Sequence, residues 1–120
     1  MHAFQYDSYQ LYVDMMAWMC VDPKVLGPGR SAFAAAFASK TRSALTRLKG
    51  DPDVAVHSSA CYQHCNYEST FQQSQKVQGI SLSDVVDRFV FRKPGATFVV
   101  ANCTGFACGE QCTNCEIQYW

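Results

Sequence analysis

The chain carries no excess of either charge: ten basic and ten acidic residues cancel, and neither sign runs in blocks. That excludes the basic footprint of a nucleic-acid-binding surface and a polybasic segment for an anionic membrane. Long hydrophobic runs are missing too. The longest strongly apolar stretch falls well short of the roughly 20 residues of a membrane span, so no transmembrane helix is expected. The first ten residues, Met1 to Gln10, lack the basic and apolar regions of an export signal. At 120 residues the chain is the size of one domain, able by size to bury roughly two thirds of its surface.

Cysteine, by contrast, is abundant. Six of the seven cysteines fall in the second half: Cys61, Cys65, Cys103, Cys108, Cys112 and Cys115. That density points to crosslinks formed in an oxidising compartment. Crosslinks without an export signal are contradictory unless an N-terminal part is missing or the cysteines hold metal. The odd total calls for a free thiol or an outside partner, and both clues point to a segment of something larger.

Residues 3–6 pattern as the end of a strand, with Asp7-Ser8 at its carboxyl edge. Residues 9–20, rich in Tyr, Met and Trp, read as a short helix or packed loop. Asp22-Pro23 and Gly27-Pro28-Gly29 read as an exposed connection. A helix is expected over 31–49, with Ser31 as N-cap and Phe33, Phe37, Ala44 and Leu48 on its apolar face. Gly50 and Pro52 stop it, and Lys40, Arg42, Arg47 and Lys49 lie on its exposed face and later turns. Val54 to Ser58 reads as a buried strand ending at the cysteine–histidine cluster, and 66–79 as a polar loop. A second helix is expected from Leu82 to Arg92, with Ser81 and Asp84 as a capping box and Ile80 stapled to Val85. Leu82, Val85, Val86, Phe89 and Val90 form its apolar stripe. Pro94-Gly95 then turns into a strand over 97–101. Strand, helix, strand, helix, strand indicates an α/β fold of about three short strands with intervening helices.

Two residues stand where open α/β sheets collect functional groups, just past the carboxyl ends of strands: Asp7 and His64. A carboxylate there can hold an imidazole in the tautomer whose other nitrogen takes a proton from a nucleophile. Equally, Asp7 can cap a turn and His64 can pack as a neutral ring. The nucleophile is the missing part. No G-x-S-x-G elbow occurs; Gly29-Arg30-Ser31-Ala32-Phe33 ends in a side chain that would crowd the tight turn and follows no strand. Any serine partner of this pair therefore lies before Met1. A second chemistry is structural zinc, with Cys108, Cys112 and Cys115 joined by Cys103 or by His64 and Cys65, although paired C-x2-C knuckles are lacking. Asn102-Cys103-Thr104 matches a glycosylation sequon, with a cysteine in its middle position.

Three blocks together resemble the pectin acetylesterases and Notum-type carboxylesterases, which share an α/β-hydrolase fold. Tyr6-Asp7-Ser8-Tyr9-Gln10-Leu11 is similar to the family's aspartate segment. Ser59-Ala60-Cys61-Tyr62-Gln63-His64-Cys65 resembles its C-x-x-H segment. Val77-Gln78-Gly79-Ile80-Ser81-Leu82 and the tail from Asn102 to Cys112 match its closing pattern of strand, cysteine, spacer and C-x3-C. The resemblance spans nearly the whole chain but only the last third or so of a family member; Cys115 and the end at Trp120 lie outside it.

What it implies is the C-terminal part of an α/β-hydrolase over residues 1–101, followed by a cysteine-rich tail over 102–120. Asp7 would be the triad acid, His64 the base, and Cys61 would be bonded to a tail cysteine, most naturally Cys112. The implied parent is secreted, uses no cofactor, and deacylates polysaccharide such as pectin or an acylated protein. The family's nucleophilic serine and oxyanion segment would belong to a missing N-terminal part of the same protein. The alternatives are a noncatalytic cysteine-rich or zinc-binding interaction module, or a degenerate, inactive hydrolase remnant.

Overall fold

The computed structural model describes residues 1–7, 27–63, 75–103, 105, 108 and 112, with 7, 62 and 63 described by their backbone. Strand β1 (His2–Asp7) is followed by helix α1 (Gly27–Thr46) and strand β2 (Val56–Gln63). Short strands β3 (Lys76–Val77) and β4 (Ile80–Ser81) precede helix α2 (Leu82–Val90) and strand β5 (Phe98–Val100). The main sheet has the order β1-β2-β5, and both pairings are parallel. Parallel neighbours need a crossover, and α1 and α2 lie in the two connections. The chain is thus an α/β unit with a parallel sheet. No helix among the described residues is long and apolar enough to cross a membrane.

β2 runs further than its apolar residues suggest. A strand ending at Ser58 was expected, with the cysteines beyond it; instead the strand continues to Gln63 and contains Cys61. The reason is position. As the central strand β2 is covered on both faces, and Val56 through Cys61 are all buried, polar His57, Ser58 and Ser59 included. A strand covered on both faces shows no alternation to read.

α1 departs from expectation at both ends and along its face. It opens at Gly27, whose φ is +71°, and Pro28 sits in the first turn, where no amide donor is needed. Gly27-Pro28-Gly29 is therefore the start of the helix, and Ser31 lies inside it instead of capping it. The helix ends at Thr46. A tighter turn follows, in which Leu48 N donates to Leu45 O (2.9 Å) and Lys49 N to Thr46 O (3.1 Å), and Gly50 stops it at φ +92°. The buried residues are Ala34, Ala38 and Leu45, whereas Phe33 is 42% exposed. Arg42 belongs to this inner face at helical spacing from Ala38 and Leu45. A charged residue in the middle of the stripe is what made the neighbouring face look more apolar.

α2 begins as its sequence requires. Ser81 N donates to Asp84 Oδ2 (2.9 Å) and Asp84 N to Ser81 Oγ (3.1 Å), a complete capping box. Hydrogen bonds from the Ser81 backbone and hydroxyl hold the Asp84 carboxyl below the usual carboxylate range. Ile80 packs in the same cluster as Val85. The helix stops two residues before Arg92 because Arg92 adopts φ +51° and Lys93 N bonds to Arg88 O (2.9 Å), a Schellman ending. Of the expected apolar stripe only Val85 is buried; Val86 and Val90 are exposed, because the short helix meets the rest of the fold along one narrow line.

At the end of the stretch 66–79 read as a loop, β3 pairs with β4 just beyond it in a hairpin whose two central residues, Gln78 (φ +54°) and Gly79 (φ +75°), both take the left-handed conformation such tight turns demand. Gln is an uncommon first residue there. Pro94-Gly95 forms the expected bend, with Gly95 at φ +124°. The core gathers Tyr6, Ala34, Ala38, Ala60, Val77, Val85, Val99 and Ala101, while Phe4 and Cys61 form a second cluster with Cys112. Residues 9–20 and Asp22-Pro23 lie outside the described residues.

Candidate active site

The carboxyl edge of the sheet is built by β1 and β2. In their parallel register Asp7 stands opposite Gln63, the residue before His64 in the chain. The backbone therefore brings Asp7 to the end of one strand and the approach to His64 to the end of its neighbour. His64, Cys65 and the serine-bearing segment read as missing lie outside the described residues, and for Asp7 only the backbone is described.

One irregularity shapes this edge. Between the pairs Phe4↔Ser59 and Tyr6↔Tyr62, β1 advances two residues while β2 advances three. The extra residue in β2 is a bulge, a device that re-aims side chains at strand ends. Phe4 and Tyr6 would share a face of a regular strand, yet they enter different core clusters.

Gln5 locks the same edge from beneath. It is fully buried, and its Nε2 donates to Ala101 O (2.6 Å) while Arg42 donates from a guanidinium nitrogen to its Oε1 (2.8 Å). Only one orientation of the amide satisfies both partners. Through Gln5, α1 and the end of β5 are tied to β1 two residues before Asp7. Tyr6 adds a second tie, its hydroxyl donating to Gly105 O (2.8 Å). These residues were missed by sequence reading. In the sequence Gln5 reads only as part of a strand over residues 3–6, and Arg42 as one of the charges on the exposed face and later turns of the helix.

One disulfide staples the tail to this edge and a second closes a short loop within the tail. Cys61, fully buried in β2, is bonded to Cys112, and Cys103 to Cys108. Gln75 Nε2 contacts the Cys61 sulfur. The Cys61–Cys112 pairing is the one the family resemblance implied. The zinc alternative needed Cys108 and Cys112 as thiolates; both are engaged in disulfides, so that set is not available. No group of three or more His, Cys, Asp and Glu side chains that could hold a metal occurs among the described residues.

At the opposite end of the strands lies a histidine pair that the sequence did not flag. His2 and His57 are register partners, with ring centroids 5.5 Å apart. His57 Nε2 faces Ile80 O at 3.3 Å, and His2 Nδ1 faces His57 O at 3.1 Å. Burial lowers the pKa of both rings. For His57 burial and the neighbouring His2 bring it to about 4, partly offset by the bond to Ile80 and by Asp84. The folded chain therefore keeps His57 neutral at pH values where an unfolded histidine binds a proton. Stability present above pH ~6.5 should be lost as pH falls towards 4, at about 1.4 kcal/mol per unit and up to roughly 3 kcal/mol from this residue. Urea denaturation at a series of pH values checks this. His57→Gln should flatten the acid slope, and an unchanged slope would remove His57 as its source.

No protein-family profile, curated protein or solved structure matches the chain.

Proposed function

We propose that this chain is the C-terminal segment of a secreted α/β-hydrolase of the pectin acetylesterase and Notum type, which cleaves carboxylic esters. The observation that carries the reading is the parallel register that sets Asp7 opposite Gln63, with His64 next in sequence. In open α/β sheets functional groups gather at the carboxyl ends of the strands, and the pairing of Asp7 with Gln63 supports this reading. The Cys61–Cys112 disulfide supports the same reading, since it secures β2 two residues before Gln63.

In the mechanism, a serine upstream of this chain attacks the ester carbonyl while His64 accepts its proton. Asp7 holds the imidazole in the correct tautomer and stabilises the imidazolium. His64 then protonates the leaving alcohol and, in the second half-reaction, takes a proton from the attacking water. Water is the final acyl acceptor, so this chemistry calls for neither metal nor organic cofactor. Acetyl esters of pectin are the first substrate class and a lipid acyl ester on a protein is the second. Residues 102–120 act as a crosslinked tail of the same domain.

The test is the reading frame upstream of Met1. Its translated product should carry a serine that reacts with a fluorophosphonate probe and should release acetate from acetylated pectin. A product with no labelled serine and no turnover of any carboxylic ester would sink the reading and leave a noncatalytic or degenerate module.

A further inference from the structure

Asn102-Cys103-Thr104 is the only Asn-x-Ser/Thr triplet in the chain, and its middle residue is not proline. The fold places Asn102 at a sharp change of environment. Ala101 is the last residue held by the sheet: its N–H donates to Ser58 O (2.8 Å), its carbonyl accepts from Gln5, and it is 8% exposed. Asn102 comes next, outside any strand and exposed to solvent. Cys103 and Cys61 are both in disulfides. Such crosslinks persist in oxidising compartments, the same environment in which eukaryotic chains receive N-linked glycans.

We propose that Asn102 is an N-glycan acceptor, an inference that rests on the secretory part of the proposed function. The transferred group is an oligosaccharide carried on a lipid pyrophosphate. Asn102 Nδ2 forms a bond to its anomeric carbon and gives up one proton. The bond from that carbon to the pyrophosphate oxygen breaks, and the lipid pyrophosphate leaves with the electron pair. Nothing is oxidised or reduced. A glycan at this point stands at the end of β5, an edge strand of the described sheet. A bulky hydrophilic group there shields unpaired backbone groups from pairing with another chain.

The experiment expresses the full 120-residue chain behind a cleavable export signal in a eukaryotic secretory host, with intact-mass and disulfide analysis of the secreted product. The expected result is a mass above that of the polypeptide. Peptide N-glycosidase should remove it and leave aspartate at position 102. Asn102→Gln and Thr104→Ala should each lose the shift completely, and Thr104→Ala decides the matter if the first variant is not exported. Secreted protein with both disulfides and unmodified Asn102 overturns the glycan while leaving the secretory reading intact. Secreted protein with free thiols in place of the disulfides and with unmodified Asn102 overturns the oxidising-compartment reading and the glycan together.

Discussion

Asp7→Asn, in a protein that also supplies the serine, should lower ester turnover on the order of 10⁴-fold, as the equivalent change does in serine proteases. The amide is nearly the size of the carboxylate, so the strand end it occupies should survive. On the proposed mechanism it would lose the charge that holds the imidazole in its working tautomer and stabilises the imidazolium. His64→Ala should reduce turnover at least as far, because in the proposed mechanism His64 is the group that takes the serine proton. Steady-state kinetics on an activated acetyl ester, with circular dichroism as the control for folding, separates chemistry from stability. Wild-type turnover in both variants would show that these residues are not the acid and base.

Cys61→Ser should produce the largest loss of stability. The Cys61–Cys112 bond closes a sequence separation of 51, against 5 for Cys103–Cys108. In the chain-entropy account these loops correspond to about 4 and about 2 kcal/mol, so breaking the first should cost roughly twice as much as breaking the second. Urea denaturation of Cys61→Ser and Cys103→Ser makes the comparison. Cys112→Ser is the decisive control, since it removes the same long crosslink while leaving the buried Cys61 side chain in place. A costly Cys61→Ser with a neutral Cys112→Ser would assign the loss to packing around Cys61 and not to the crosslink. Unchanged stability in both would count against the crosslink as a stabilising element.

The parts of the fold legible in the sequence are those whose partners lie within a turn of one another. The Ser81–Asp84 capping box needs only residues three apart, and it forms as the sequence spells it. The Gly50 stop, the Pro94-Gly95 bend and the alternation of strands and helices are local in the same sense. Of the expected site, the described residues show Asp7 as the last residue of one strand and Gln63, the residue before His64 in sequence, as the last of another, with a helix between the two strands. Even so, β2 proved longer than its apolar residues. A central strand covered on both faces shows no alternation, and here it buries His57, Ser58 and Ser59 beside its apolar residues.

Sequence alone thus determined an α/β chain, its capped second helix and the residue types available for acid–base chemistry. Its resemblance to a family supplied the pairing of Cys61 with Cys112, which residue spacing had left open. Tertiary structure decided which face of α1 is buried, because that depended on Arg42 finding Gln5 across the helix–strand contact. It also decided the bulge in β2, the register that sets Asp7 opposite Gln63, and the tie from Gln5 to Ala101, 96 positions away. The physical reason is range. Caps and turns are settled by hydrogen bonds between near neighbours, whereas register and burial are settled by groups that meet only after the chain has closed on itself.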